Sequence, residues 1–136
     1  MQLYEGRQMV EKNKQEPSEI YKWKFAIGTT SRVPGTKGLH YLILDIDTKK
    51  HPQPLLIKLL AIGAGVRATP TEHGWHIYTN FIVTLADFCT LAEECGADPS
   101  WISIGMKRGY FFLADKESVN LEWPVERMLI HRGEKG

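Results

Sequence analysis

Asp45 and Asp47, separated by a single isoleucine, are the residues whose type and spacing first suggest chemistry. They close the run Leu39-His-Tyr-Leu-Ile-Leu-Asp-Ile-Asp47, whose apolar, β-rich composition suits a buried central strand. Side chains alternate across a strand, so Leu42, Leu44 and Ile46 should share one face and Tyr41, Ile43, Asp45 and Asp47 the other. Two carboxylates on one face repel each other unless water reaches them freely or a cation lies between them. Hard divalent cations prefer carboxylate oxygen, which makes Mg²⁺ or Mn²⁺ the expected cofactor. The plain alternative is a strand that gives way to a solvated turn at Asp47-Thr-Lys-Lys50.

The elements that must position these acids follow from the rest of the chain. Tyr21–Thr30 has strand composition and leads into Ser31–Gly38, a loop rich in glycine and proline that carries Arg32 and Lys37. Pro52 and Pro54 suit a first helical turn, followed by an apolar face of Leu55, Leu56, Leu59, Leu60 and Ile62 that ends at Gly63 and Gly65. A short strand, Val66–Thr69, and a turn, Thr71–Gly74, precede a strand over Trp75–Ile82. Thr84 then N-caps a helix whose buried stripe is Leu85, Phe88, Cys89, Ala92 and Cys95, with Gly96 as its stop. Asp98-Pro99 opens an extended stretch over Trp101–Ile104, Gly105–Gly109 reads as a turn, and Tyr110–Leu113 as a further strand. Apolar residues between Val119 and Ile130 should pack on the body.

From Leu39 onward the order is strand, helix, strand, strand, helix, strand. This predicts an α+β fold of the RRM-like, or ferredoxin-like, kind: an antiparallel sheet in the order 4-1-3-2 with both helices on one face. The first strand is then central, and its C-terminal end lies beside the starts of strands three and four. Trp75 and Ile77 should face the helices. His76 and Tyr78 should stand with the acids on the open face, joined by Trp101 and Ser103. Asp98 lies on the same edge, and Asp115 returns to it if residues 101–114 form a hairpin.

The chain has 136 residues, which fits one domain over residues 21–131 between a polar N-terminal arm, residues 1–20, and a flexible tail, residues 132–136. A net charge of +1 excludes a strongly basic protein, so nucleic acid would have to be met by a local basic patch. Cys89 and Cys95 match neither a disulfide framework nor a zinc-site spacing and read as core residues. No apolar run reaches membrane length and the N-terminus is polar, so a cytoplasmic protein with no membrane partner is expected.

These residues resemble the archaeo-eukaryotic primase superfamily, the primase-polymerases. That family's catalytic module is RRM-like. Its Asp-hydrophobic-Asp motif is matched by Asp45-Ile46-Asp47 and its small-any-His motif by Gly74-Trp75-His76. Its third motif, a hydrophobic residue followed by an acid, is matched by both Ala97-Asp98 and Ala114-Asp115. The resemblance covers residues 23–115, and the motifs come in the family's order.

It implies nucleotidyl transfer on a DNA or RNA template from nucleoside triphosphates, with a helicase or accessory primase subunit as a further partner. Asp45, Asp47 and a third acid, Asp98 or Asp115, would hold two Mg²⁺ or Mn²⁺ ions, and His76 would contact the phosphates of the incoming nucleotide. Lys37, Lys107 and Arg108 become candidate phosphate or template contacts. Arg32 becomes a nucleic-acid contact, and Tyr41, Tyr78 and Trp101 become base-stacking residues of the open face.

Three other readings compete: a non-catalytic RRM-like nucleic-acid-binding module, a metal-dependent nuclease, and an inactive primase-like subunit with a structural or regulatory role. Lys107-Arg-Gly-Tyr-Phe-Phe-Leu113 resembles the RNP1 sequence of non-catalytic RRM domains, although RNP1 belongs on the third strand and this run falls on the last. A metal-dependent nuclease would use the same acids to activate water.

Overall fold

The computed structural model describes residues 25–63, 65–115 and 119–131. The expected N-terminal arm, the first residues of the Tyr21–Thr30 strand and the expected C-terminal tail lie outside the described residues. In chain order the elements are β1 (Phe25–Thr30), β2 (Leu39–Ile46), α1 (Gln53–Ala61), β3 (Val66–Pro70), β4 (Trp75–Thr84), α2 (Leu85–Glu94), α3 (Pro99–Arg108), β5 (Phe112–Ala114) and β6 (Arg127–His131). They form an α+β fold with two antiparallel three-stranded sheets, ordered β5-β1-β6 and β2-β4-β3. Among the described residues no helix is long and apolar enough to cross a membrane.

The β2-α1-β3-β4-α2 part follows the expected split pattern, and among the described residues no fourth strand joins that sheet. Residues 101–104 lie inside α3 instead of forming a strand, and Gly105–Arg108 is the helix's last turn. Asp98 accepts a hydrogen bond from the Trp101 amide at 3.3 Å, Pro99 occupies the first turn, and Gly109 closes the helix at φ 93°. Asp-Pro followed by a spaced apolar pair is therefore a helix start here. Gly105 is required for the docking of α3, because a Cβ at that position would come within 2.2 Å of the Phe111 ring.

The sheet order is corrected accordingly: β4 is central and β2 is an edge. That edge is nevertheless paired. Arg32 bridges His40, the Tyr41 amide donates to the Ser31 carbonyl at 2.7 Å, and the Asp98 amide donates to the Asp45 carbonyl at 2.9 Å. Ser31–Val33 and the start of α3 thus occupy the place expected for strand four.

The core lies between the β2-β4 face and the helices. Leu42, Leu44 and Ile77 are buried beside Phe88 and Ala92 of α2, and Phe88 stacks on Phe111 at 4.0 Å and 11°. α2 carries the expected stripe and the expected Thr84 cap, which accepts from the Asp87 amide. In α1 only Leu59 of the expected apolar face is buried, while Leu60 and Ile62 are 58% and 54% exposed.

The second sheet is tied to the first by one carboxylate. Asp115 Oδ2 accepts from Thr29 Oγ1 at 3.0 Å and from Tyr78 Oη at 2.8 Å, and Oδ1 accepts from Arg127 Nη1. Arg127 Nη2 also donates to the Asp115 carbonyl at 3.1 Å. The Asp115 side chain is 8% exposed, so loss of its cation would leave a nearly buried charge uncompensated. We predict that Arg127→Met lowers unfolding stability by about 2–4 kcal/mol, the range for breaking a buried pair discounted for the partial exposure of Arg127. Urea denaturation at neutral pH measures this, and a change below about 0.5 kcal/mol would assign the cross-link no structural weight.

Candidate active site

β2 and β4 pair antiparallel with Asp45 opposite His76, Ile43 opposite Tyr78 and Ile46 opposite Trp75. Directly opposed residues project to the same side of a sheet. His76 Nε2 accordingly lies 3.7 Å from Asp45 Oδ1, close but beyond hydrogen-bond range. The approach depends on Gly74. A Cβ there would meet the Ile46 carbonyl oxygen at 1.9 Å and the Thr48 amide at 2.8 Å, so only glycine lets the acid-bearing end of β2 lie against the start of β4.

Three acids share this end of the sheet. Asp47 is exposed just beyond β2, and Asp98 caps α3 with its amide on the Asp45 carbonyl. Burial first, and then the charges of Asp98 and Asp47, push the Asp45 carboxyl up from its ordinary 3.8 to about 6. Burial lowers the pKa of His76, opposed by the nearby Asp115 charge, so the ring is neutral at pH 7 and its contact with Asp45 is no ion pair.

The two candidate third acids therefore differ. Asp98 stands beside Asp45 with Oδ2 on the Trp101 amide, whereas both oxygens of Asp115 are bonded to Thr29, Tyr78 and Arg127. Burial and the adjacent Asp115 carboxylate raise the Tyr78 pKa far above its ordinary 10.0, so Tyr78 stays a proton donor in this cross-link.

Several sequence-predicted positions lie elsewhere. Tyr78, Ile43 and Tyr41 are 0%, 2% and 5% exposed, so the middle of the face expected to be bare is covered. Asp115 covers Tyr78, and Trp123 lies 6.5 Å from Tyr41. Neither tyrosine can stack on a base. Trp101 packs against Phe88 and Phe111 and donates from Nε1 to the Phe112 carbonyl at 2.8 Å; it is a core residue of α3, not a residue of the open face. Ser103 sits on α3 as well.

Arg32, Lys37, Lys107 and Arg108 do not join the acids. Arg32 bridges His40 at the opposite end of β2, five residues from Asp45, or roughly 17 Å at strand rise. Arg108 ends α3, ten residues long, whose other end abuts Asp45, which is a separation of about 15 Å. Sequence reasoning missed Arg127, Thr29 and Glu126, whose partners lie far away along the chain and leave no local spacing to read.

The chain matches no protein-family model, no curated protein and no solved structure.

The donor set at Asp45, Asp47 and Asp98 is all oxygen, the chemistry that Mg²⁺ and Mn²⁺ take, and the crowding that raises the Asp45 pKa is what a cation would relieve. Among the described residues, however, no three His, Cys, Asp or Glu side chains close around one point as a ready metal sphere. The carboxylates match such an ion by donor type alone.

The raised pKa has a consequence for stability, and its sign is fixed. Ionising Asp45 costs nothing extra below about pH 4; the penalty grows between the unfolded value of 3.8 and the folded value of about 6, and is complete above it. We predict that Asp45→Asn stabilises the metal-free protein at pH 7 by about 1–2 kcal/mol, discounted for partial solvent access, and leaves it unchanged at pH 4. Thermal melts in EDTA at the two pH values check this. Destabilisation at pH 7 would contradict the crowding.

Proposed function

We propose that this chain is a metal-dependent nucleotidyltransferase of the primase-polymerase type, joining nucleotides on a nucleic-acid template. The observation that supports it most is the cross-strand apposition of Asp45 and His76, with Asp47 and Asp98 near Asp45 at a solvent-accessible end of the sheet. Asp45, Asp47 and His76 are the residues that the family resemblance singles out, and Asp98 is one of its two candidate third acids.

Asp45, Asp47 and Asp98 would hold Mg²⁺ or Mn²⁺. Such ions, when bound, activate the attacking 3′-hydroxyl and neutralise the triphosphate. Asp45 needs no protein base to ionise it once a cation offsets its neighbours. His76, neutral at pH 7, contributes a single N–H, which suits a hydrogen bond to a phosphate oxygen rather than a full countercharge. Gly74 holds the two strand ends at the approach this requires. Asp115 stays with Arg127 as the support behind Tyr78. Asp98 is thus favoured as the third acid.

The open arrangement of the acids favours one second reading, a relative that retains the scaffold without turnover. An RNP1-type binding face is disfavoured, because Phe111 and Phe112 are 0% and 8% exposed.

Extension of a labelled primer on a DNA or RNA template with Mn²⁺ or Mg²⁺ separates these readings. Incorporation should fall by at least roughly a hundredfold in Asp45→Ala and Asp47→Ala, and by about tenfold or more in His76→Ala. Asp98→Asn keeps a competent N-cap while removing the charge, so it should lose incorporation with little loss of melting temperature. Incorporation that survives in Asp45→Ala, or none at all in the parent, defeats the proposal. Degraded template without nucleotide addition would establish a nuclease.

A further inference from the structure

At the end of β2 remote from the acids, two guanidinium groups converge on one tyrosine. Arg32 Cζ lies 4.2 Å and Arg108 Cζ 5.2 Å from the centroid of the Tyr110 ring. Arg32 is exposed, and Arg108 and Tyr110 are partly exposed. Lys107 precedes Arg108 on α3, and Lys37 lies in the exposed loop that Arg32 opens. Among the described residues, the ion pair of Arg32 with Glu126 at 2.8 Å is the only one that any of these four cations makes.

Like charges do not gather on one ring without cost. The ring quadrupole offsets part of the repulsion, and Glu126 neutralises one of the two guanidiniums. What remains is a positive surface with flat, pre-oriented guanidinium planes. Such planes stack on unpaired bases, and their N–H edges bind phosphate in forked pairs. A lone triphosphate needs only a point of charge. Planar stacking faces flanked by further cations suit a strand whose bases are unpaired.

We propose that Arg32, Arg108 and Tyr110, flanked by Lys37 and Lys107, form a landing site for a single nucleic-acid strand, held by its phosphodiester backbone and by stacking on the guanidinium planes. The site lies about 15 Å from Asp45, the length of α3, so it is distinct from the acid end and holds whether or not the acids are catalytic. Its chemistry does not distinguish DNA from RNA.

Fluorescence anisotropy of labelled oligo-dT and oligo-U, in EDTA and without nucleotides, tests this apart from any turnover. Binding should weaken with salt at a log–log slope of about −2, as expected for three phosphate contacts on a single strand, with Arg32 already paired to Glu126. Arg32→Gln combined with Arg108→Gln should weaken it by at least about tenfold and reduce the slope by about 0.7, since Arg32 is already paired with Glu126. Arg32→Lys with Arg108→Lys should keep the slope and lose affinity, because charge survives and the planes do not. Lys107→Gln, which disturbs no described contact, should weaken binding severalfold and guards against misfolding of the arginine variants. A stronger effect on oligo-dT than on oligo-U, or the reverse, would name the strand. Parent protein that does not bind, variants that bind like the parent, or full competition by inorganic triphosphate at equal phosphate concentration would each overturn the proposal.

Discussion

The Asp115 carboxylate constrains everything around it. A charge that is nearly buried must have its oxygens satisfied, and here the donors come from β1, β4 and β6 at once. Such a pair contributes little net stability compared with an apolar replacement, but removal of either partner is costly, so its weight lies in specifying one arrangement. Tyr78 is among its donors, and Tyr78 is two residues along β4 from His76 on the same face. A slip of one residue in β4 would send Tyr78 to the helix side and strand the acid. The cross-link between sheets therefore also sets the register that puts His76 opposite Asp45.

The part of the site that is legible in the sequence is the part governed by strand alternation. Asp45 and His76 were expected on one face from their parity alone, and the pairing of β2 with β4 puts them there. The short-range signals of α2 were equally legible, since a cap, a stripe and a terminal glycine lie within one element. α3 was not, because Trp101-Ile-Ser-Ile104 has the composition of a strand. The decision came from Asp98 as N-cap and from the close packing of Gly105 on Phe111, a contact between residues whose proximity depends on the finished fold. The second sheet was less legible still. β1 pairs with β5 and β6 across most of the chain, and nothing local in Phe25–Thr30 names those partners.

Coverage of the expected open face has the same origin. Trp123 and the segment around it pack on the sheet from far along the sequence, so a strand face that reads as bare by alternation is closed by distant residues. The end at Asp45 and His76 keeps access to solvent, with side chains 32% and 14% exposed. Burial of Tyr41, Ile43 and Tyr78 leaves that end as the place on this face where the acids and the imidazole can be reached. It also explains the raised Asp45 pKa: the carboxyl is buried enough to resist ionisation and is flanked by two like charges. The metal-free fold is thus strained where the proposed chemistry would occur, the expected pattern when stability and function compete for the same residues.

α3 links this strained end to the basic end. Its N-terminus is capped by Asp98 and its last turn carries Lys107 and Arg108, the charge order that complements a helix dipole. The placement stabilises the helix whatever the protein does. Because α3 begins at the Asp45 carbonyl and ends at the Tyr110 ring, however, the same local rule sorts charge across the molecule. The acids collect at one end and the guanidiniums at the other. A helix docked in the reverse direction would put Lys107 and Arg108 beside Asp45 and quench the crowding there with side-chain cations. In the observed direction nothing on α3 neutralises the acids, which leaves them available to an external cation and leaves Arg108 available to an external anion, while Arg32 pairs with Glu126.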